Sequence, residues 1–263
     1  MKLYRIKAIM VRHLLLTFRV FQRLVDLMFW PFLNLVLWGF NSMWNESFQQ
    51  QPAQVTLALL TGLVVWQILF RVNMEICSNL LEELTSHNFS GLFSTPLKLS
   101  EWMIAVVGIG FIKSIFTFIF AVSCIWLLYD INILTVGWFL AACIGLIILT
   151  GWSIGFLTAS GIVYWGQSVR ELVWVVAWIF VPFSGIFYSI KILPQWVQKV
   201  AAIIPQSHLF EALRTYILEG KTLWDSLLIC LILTVFYLIL SLTFFKLTFE
   251  KSRSNGLSRL ENN

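Results

Sequence analysis

Long apolar segments alternate with short polar ones along the whole chain. Six apolar runs stand out, at residues 27–44, 55–76, 103–129, 133–163, 172–190 and 223–249. Each is close to, or longer than, the ~20 residues that an α-helix needs to cross the hydrocarbon core of a bilayer. Since only helices and closed barrels satisfy their backbone groups in lipid, runs of this length indicate helices. The pattern predicts an all-α polytopic membrane protein with six transmembrane helices.

The segment before the first run is basic on one side and apolar on the other. On a helix, its basic residues share about one third of the circumference. They are Lys2, Arg5, Arg12, Arg19 and Arg23, and the apolar residues opposite them are Leu3, Leu14 and Phe21. We expect an amphipathic helix in the membrane interface, retained with the first span because no A-x-A-like cleavage site follows. It is either a topological anchor or part of the mechanism.

The basic residues also indicate the orientation of the chain. With both termini in the cytoplasm, the Lys and Arg residues outside 191–222 fall on the cytoplasmic side, except Lys113 within the third run. Such an excess of basic residues is typical of cytoplasmic loops. The net charge of +5 therefore reflects membrane topology. Because the basic residues flank apolar runs and form no separate patch, we expect no nucleic-acid partner.

Residues 78–101 form the predicted cytoplasmic loop between the second and third runs. This loop combines charged and apolar side chains in a way that suits a short amphipathic helix followed by a turn at Thr95-Pro96. The residues that indicate contact with a partner are Glu82, Glu83, His87, Phe89 and Leu92. A solvated connector remains the alternative, but it does not require phenylalanine beside charges, so docking of a partner is favoured.

Residues 191–222, between the fifth and sixth runs, break the charge pattern. The apolar stretch 197–204 is too short to span a membrane, and Pro194, Trp196 and Pro205 lie beside it. Irregular backbone at membrane depth occurs only where protein or water covers it. We therefore predict a re-entrant helical segment before the last span.

Three residues within the runs are candidates for a transport path. Lys113 lies about 10 residues into the third run, where an isolated charge costs at least ~3 kcal/mol. It either takes part in function or faces water or a buried carboxylate for structural reasons. Trp152 and Trp178 belong to an aromatic set of 13 Trp and 23 Phe, more than interface anchoring needs. These rings either line a path for an amphipathic substrate or pack between helices.

Two motifs match enzyme signatures only in form. Residues 151–155 match G-x-S-x-G around Ser153, with His208 as an imaginable partner, but a nucleophile elbow needs a strand-to-helix turn. The same residues form G-x-x-x-G, which allows close helix approach, so packing is favoured. Residues 215–222 lack the first glycine of a P-loop. The four cysteines have neither disulfide nor metal spacing. We expect no catalytic residue, metal or cofactor in this chain.

The stretch 182–214, PFSGIFYSIKILPQWVQKVAAIIPQSHLFEALR, contains an F-Y, L-P-x-W, P and E-x-x-R series. This series resembles the signature region of ABC type-2 exporter permeases. The residues that carry the resemblance are Pro182, Tyr188, Pro194, Trp196, Pro205, Glu211 and Arg214. The likeness extends more loosely over most of the chain, although residues 204–207 read I-P-Q-S where the family usually has N-P-L-T.

The resemblance implies a permease subunit of an ATP-driven ABC exporter in the bacterial cytoplasmic (inner) membrane. Such a permease is a homodimer in membrane lipid, paired with two separate ATPase subunits that bind ATP and Mg²⁺. Residues 1–23 would be the cytoplasmic gate helix, with Arg5, Arg12, Arg19 and Arg23. Residues 24–263 would be the six-helix transmembrane domain, including the coupling loop 78–101 and the extracytoplasmic re-entrant region 191–222.

The expected substrate is a large amphipathic molecule, such as a lipid-linked glycan, a lipid or a hydrophobic drug. Two other classes of function compete with export. A membrane-embedded enzyme, such as an intramembrane serine protease, would bring Ser153 together with His208 or another polar cluster. A non-transporting membrane scaffold would work without an ATPase.

Overall fold

The computed structural model describes residues 2–49, 53–257 and 260, so the outermost ends of both predicted domains lie outside the described residues. All regular elements within these ranges are helical, which confirms the all-α fold class. The α-helices are α1 (Leu3–Arg19), α2 (Phe21–Gln49), α3 (Ala53–Thr85), α4 (Phe89–Ser94), α5 (Leu99–Tyr129), α6 (Trp138–Trp165), α7 (Leu172–Ile179), α8 (Val181–Ser184), α9 (Gln195–Ala202), α10 (Pro205–Glu219) and α11 (Trp224–Ser254). Short 3-10 segments lie at Ile133–Val136, Gly166–Val169 and Ile190–Ile192.

The amphipathic segment forms a separate helix ahead of the first long one. Val20 takes extended backbone angles (φ −95°, ψ 106°), so α1 ends at Arg19 and α2 begins at Phe21. The buried residues of α1 are Ile6, Ile9, His13 and Thr17, which follow one another at the three- and four-residue spacing of a single helix face. This face packs on α5 and α2. Arg23, predicted within the same segment, belongs to the first turn of α2.

Five of the described helices are long and apolar enough to cross a membrane, namely α2 over Phe21–Glu46, α3, α5, α6 and α11. Within their most apolar 18 residues, 72% are buried in α3 but only 17% in α11. α3 is therefore the central helix, and it packs against α5, α6, α2 and α10. The exposed apolar faces of α2 and α11 suit lipid, as expected for a multi-pass membrane protein.

The fifth predicted span, 172–190, forms no single long helix. α7 ends at Ile179, α8 begins at Val181, and Gly185 ends α8 in a left-handed conformation (φ 73°). Pro182 lacks a backbone N–H and therefore suits the first turn of a new helix. The apolar stretch Val173–Ser184 is shorter than the five long helices. The count of six spans accordingly stays a prediction.

Residues 191–222 contain the helices α9 and α10. α10 packs on α11 and α3, and Gly220 ends it with φ at 69°. The structure thus has two short helices before α11, while their re-entrant position stays a prediction.

α6 approaches α3 closely at Gly151 and Gly155. A Cβ atom at Gly151 would lie 3.0 Å from the carbonyl oxygen of Leu69, and one at Gly155 would lie 2.7 Å from Ile76 Cδ1. Both distances are shorter than ordinary van der Waals contact, so the two glycines permit this helix spacing. The packing interpretation of the G-x-x-x-G motif is confirmed.

Candidate transport site and coupling surface

One face of α3 lines two adjoining cavities. The residues on this face are Gln67, Phe70, Arg71, Met74, Glu75 and Ser78, which recur at the three- and four-residue spacing of a helix stripe. The part of the stripe nearer the start of α3, around Gln67 and Phe70, consists of amide and aromatic side chains. The part nearer the end of α3, around Arg71 and Glu75, is charged.

The charged part borders a polar cavity of about 740 Å³ between α3 and the helices α1, α2 and α5. Its charged lining includes Arg23, Asp26, Arg71, Glu75, Lys113 and Arg170. A cavity of this size and polarity holds water or a polar ligand group.

Glu75 is the centre of a buried ionic cluster at this cavity. Lys113 Nζ lies 2.7 Å from Glu75 Oε2, and Arg71 Nη1 lies 3.9 Å from Glu75 Oε1. Asn79 Nδ2 donates to Glu75 Oε2 at 3.3 Å. Arg71 also donates to the backbone oxygens of Asp26 and Leu27, which ties α3 to α2. The cluster provides the carboxylate that Lys113 requires at membrane depth.

The aromatic part borders a second cavity of about 430 Å³. Five rings from three helices surround it: Trp30, Trp66, Phe70, Trp174 and Trp178. The ring centroids of Phe70 and Trp174 lie 5.7 Å apart with an interplanar angle of 48°, and those of Phe70 and Trp178 lie 6.2 Å apart at 64°. Glu171, Asn34 and Gln67 provide its polar groups. Trp30, Phe70 and Trp174 line both cavities, so the two spaces adjoin.

Three carboxylates at the ends of α3 and α5 hold α1 in place. Glu101 accepts hydrogen bonds from the backbone N–H of Lys2 at 2.7 Å and of Lys98 at 3.1 Å. Glu83 Oε1 lies 2.9 Å from Arg12 Nη2. Glu82 accepts two hydrogen bonds, at 3.0 and 2.8 Å, from Arg23 at the start of α2. α1 is therefore fastened at its first turn and along its middle.

His13 lies between two of these carboxylates. Its side chain is 1% exposed, with Nε2 at 3.2 Å from Glu83 Oε1 and Nδ1 at 3.7 Å from Glu82 Oε2. Burial opposes protonation, but the two neighbouring carboxylates outweigh it and raise the pKa of His13 above its ordinary value. The protonated imidazole thus strengthens the contact between α1 and α3.

The signature residues meet around one turn between α8 and α10. Tyr188 donates its hydroxyl to the carbonyl oxygen of Pro182 at 2.8 Å. Arg214 on α10 donates to the carbonyl oxygens of Gly185 and Ile186 and lies 3.4 Å from Glu211. Burial lowers the pKa of Arg214. The E-x-x-R pair therefore fastens the turn after α8 to α10.

The other signature residues define where the following helices begin. Pro194 precedes α9, and Pro205 is the first residue of α10. Trp196 on α9 is exposed. Proline suits the start of a helix because the N–H groups of the first turn have no acceptor within the helix. A residue without an N–H therefore loses no hydrogen bond there.

The family model for ABC-2 family transporter proteins matches residues 38–243. This chain belongs to the ABC-2 transporter family. None of the curated proteins matches the chain. Membership of the family identifies the chain as a transmembrane permease component, a kind of subunit that pairs with an ABC ATPase.

The coupling residues predicted for this ABC-2 permease divide into buried and accessible ones. Glu83 is fully buried, and Phe89 is enclosed by Phe93 and Phe249. Leu92 is half-buried, whereas His87 is exposed and takes a positive φ of 50° at the turn before α4. The accessible surface of segment 78–101 therefore includes His87 and one side of α4, whereas Glu83 and Glu101 face inwards.

The predicted gate residues of the permease also differ in environment. Arg5 donates to the carbonyl oxygen of Pro96 and lies 3.4 Å from Glu101, while Arg12 and Arg23 pair with Glu83 and Glu82. Arg19 is exposed at the end of α1, and no ion pair involves it among the described residues. Three of the four arginines thus fasten α1 and the start of α2 to α3 and α5.

Of the three path candidates, Lys113 lines the polar cavity and Trp178 the aromatic one. Trp152 is half-buried, packs among the helices of the permease core and lines neither cavity. Ser153 Oγ donates within α6 to the Thr150 carbonyl at 2.7 Å, and the ring of His208 contacts the Ala202 carbonyl at 2.9 Å. No hydrogen bond joins these two side chains in the described part of the chain.

Some site residues were not found by sequence reasoning. Glu75 is one of them, because its partnership with Lys113 joins two helices that are far apart in sequence. His13 was not singled out on the basic helix. No sequence pattern links Trp30 to the other rings of the cavity. Trp174 could have been linked to Trp178, because residues four apart lie on the same face of a helix.

Proposed function

We propose that this chain is the permease subunit of an ATP-driven exporter for a large amphipathic substrate, such as a lipid-linked glycan, a lipid or a hydrophobic drug. It works as a homodimer in the bacterial cytoplasmic membrane, with both termini in the cytoplasm. Two partner ATPase subunits bind ATP and Mg²⁺. The family membership supports the transport role, and the cavities support the kind of substrate.

The adjoining cavities beside α3 carry this proposal. The wall changes from amide and aromatic at Gln67 to ionic at Glu75, a distance of roughly 12 Å along a helix. An amphipathic molecule changes from polar to apolar over a similar length. Substrate sites are mostly apolar with a few placed polar groups. The aromatic cavity has that composition, and the adjoining polar cavity provides charged groups for the polar end of such a molecule.

The contacts of Glu83 suggest how ATPase movement reaches the permease. Asn88, just before α4, donates to Glu83 Oε2 at 2.7 Å, and Glu83 in turn pairs with Arg12 of α1. A force applied by the ATPase at α4 would therefore pass through Glu83 to α1, which borders the polar cavity. The conformational change requires that the ATPase contact one state of this segment better than the other.

Copurification of the tagged permease from membranes tests this function. Gly91 lies on the exposed side of α4, and a Cβ there would meet only Asn88 Oδ1 at 3.7 Å, so Gly91→Arg alters the surface without disturbing the fold. We expect an ATPase subunit to copurify with the unaltered chain and to be lost with Gly91→Arg. The matched control, Gln195→Arg on the exposed surface of α9, should retain it.

The two ways in which this test can fail have different meanings. If Gly91→Arg retained the ATPase as well as the control does, α4 would not be the coupling surface. If no ATPase copurified under any condition, the chain would have to act as a scaffold or an enzyme. A fully active Ser153→Ala variant would contradict the protease version of the latter.

A further inference from the structure

We propose that the aromatic cavity binds a positively charged, alkylated ammonium headgroup, which would make the amphipathic substrate a cation. The inference rests on the proposed function, because it identifies the chemical class of the exported molecule. It draws on the arrangement of the five rings and the charges around them.

The rings form an open box with faces in several directions. Trp30 and Trp174 have centroids 6.3 Å apart with an interplanar angle of 59°, and Phe70 is tilted against both Trp174 and Trp178. Tilted rings around a common space present several negative faces to a single central charge, as in aromatic sites for quaternary ammonium groups.

No cation of the protein occupies these faces. Among the described residues, the Lys and Arg side chains that lie over an aromatic ring do so at Tyr4 and Tyr164. In the adjoining cavity, Arg71 and Lys113 are held by Glu75, and Arg170 also lines that cavity. The electrostatic attraction of the ring faces is therefore available to a ligand.

The polar groups of the cavity add negative charge and acceptors. Glu171 lines the cavity, and no ion pair involves it within the described ranges. Asn34 donates its amide N–H to the Trp30 carbonyl at 2.9 Å, which leaves its side-chain oxygen as an acceptor. Gln67 is 4% exposed and has no hydrogen-bond partner among the described residues. The Gln67 amide faces the cavity, where a ligand or water can hydrogen-bond to it.

The size and accessibility of the cavity also suit such a ligand. Its volume of about 430 Å³ lies within the ~300–1,000 Å³ of small-molecule sites. Trp30, Trp174 and Trp178 are 39%, 39% and 44% exposed, whereas Trp66 and Phe70 are buried. The box therefore has a closed floor on α3 and an open side. A headgroup could enter through that side while its alkyl chain stays in an apolar environment.

The test measures binding of octyltrimethylammonium to the purified permease in nanodiscs of lipid without choline headgroups. Two further probes are the uncharged analogue, in which carbon replaces the ammonium nitrogen, and octyl glucoside as a neutral sugar amphiphile. Equilibrium dialysis against empty nanodiscs corrects for partition into lipid. No ATPase is present in this experiment, so its result does not depend on the copurification experiment. Failure of the cation to bind would contradict the cation site and not the proposed permease function. Failure of the ATPase to copurify would contradict the permease function and not the cation site.

Variants distinguish the contribution of the ring faces to cation binding from the contributions of charge and of apolar surface area. We expect Trp174→Leu to weaken cation binding by about two- to thirty-fold, the range of a cation–π contact, with Trp174→Phe intermediate. Glu171→Gln should weaken binding of the cation and not of the uncharged analogue. Trp126→Leu, at an exposed tryptophan of α5, and Asp225→Asn, at an exposed carboxylate of α11, are the matched controls and should bind as the unaltered chain does.

Several outcomes would overturn the proposal. Equal affinity for the ammonium probe and its uncharged analogue would identify a merely apolar cavity. Preferential binding of octyl glucoside would indicate a glycan site. Unchanged cation binding in both Trp174→Leu and Glu171→Gln would place the site elsewhere. Thermal unfolding of each variant, measured alongside, shows whether a loss of binding reflects a loss of folded protein.

Discussion

Lys113 Nζ on α5 lies 2.7 Å from Glu75 Oε2 on α3, with the two side chains 11% and 7% exposed. The pair joins two membrane-spanning helices at the border of the polar cavity. Arg71 shares the same carboxylate at 3.9 Å. Lys113 and Arg71 therefore share the carboxylate of Glu75. Removing Glu75 and removing Lys113 consequently leave different charges unpaired.

We predict that Glu75→Gln destabilises the protein more than Lys113→Met does. Loss of Glu75 leaves Lys113 without its carboxylate and Arg71 with only the more distant Asp26, while loss of Lys113 leaves Glu75 paired with Arg71. Breaking a fully buried pair costs about 3–5 kcal/mol. Because Glu75 and Lys113 border the polar cavity, the cost of Glu75→Gln should lie near or below the lower end of this range. Unfolding by SDS titration in mixed micelles measures the difference. Lys246→Met removes an exposed lysine and should have little effect. Equal stability of the two pair variants would contradict the prediction.

A second prediction concerns the attachment of α1. Glu83 is fully buried and lies 2.9 Å from Arg12, whereas the Glu82 side chain is 24% exposed. Glu83→Gln should release α1 more than Glu82→Gln does, because Glu83 pairs with Arg12 and His13 of α1, whereas both hydrogen bonds of Glu82 come from Arg23 of α2. Crosslinking with a short bis-maleimide between Met10→Cys and Gly108→Cys reports the contact, since Met10 packs directly on Gly108.

The crosslinking yield should fall strongly with Glu83→Gln and only slightly with Glu82→Gln. The cysteine pair without further change is the reference. The native cysteines at 77, 124, 143 and 230 are buried, so the maleimide should react mainly with the introduced pair. An undiminished yield with Glu83→Gln would show that α1 is held mainly by its apolar face and Glu101.

Sequence patterns predicted the long helices well and the contacts between them poorly. The runs at 55–76, 103–129, 133–163 and 223–249 lie within or across α3, α5, α6 and α11, because apolar length alone determines such helices. The run at 172–190 contains Pro182 and Gly185, which divide it into short helices. Hydropathy measures composition and does not register where proline begins a new helix.

The sequence indicated which residue types belong to the site, but not which residues they pair with. Lys113 stood out because a charge within an apolar run is costly, but its pairing with Glu75 depends on the packing of α5 against α3. Glu82 and Glu83 looked like a surface for a partner because their loop is charged. In the fold they face Arg12, His13 and Arg23 instead. Amphipathic patterns identify a face and do not indicate which element covers it.

The third prediction is a pH dependence of α1 docking. His13 faces Glu82 and Glu83, with Arg12 and Arg23 on the same carboxylates. Its pKa is raised in the folded state, from about 6.5 in an unfolded chain. The stabilisation is therefore fully present below about pH 6.5 and is lost as the pH rises through the raised pKa.

The Met10–Gly108 contact provides the measurement of this pH effect. Because maleimide chemistry itself depends on pH, spin labels at the two cysteines should be used to record the distance distribution between pH 6 and pH 9. We expect the docked population to decrease with rising pH, and His13→Gln to remove this dependence. His87→Gln is the matched control, since His87 is exposed at the turn before α4, and should retain it. A pH dependence that persists in His13→Gln would have to come from another group.

The last prediction compares three glycines of α6 by adding one methyl group to each. Gly145 has nothing within 4 Å of a Cβ position, whereas Gly151 and Gly155 would meet α3 at 3.0 and 2.7 Å. Gly145→Ala should be neutral or stabilise by up to ~1 kcal/mol, since alanine favours a helix over glycine. Gly151→Ala should destabilise by roughly 1–3 kcal/mol, because the new methyl presses on the backbone oxygen of Leu69, which cannot rotate away.

Gly155→Ala should lie between these two, because its closest contact is the terminal Cδ1 of Ile76, a group that can change rotamer. Adding Ile76→Val removes that methyl and should recover stability in the Gly155→Ala background, while costing ~0.5–1.5 kcal/mol in the unaltered chain. Detergent unfolding midpoints of the four single variants and the double variant decide the matter. If Gly145→Ala and Gly151→Ala were equally stable, α6 and α3 would be further apart than these distances indicate, and the close-packing role of the motif would be lost.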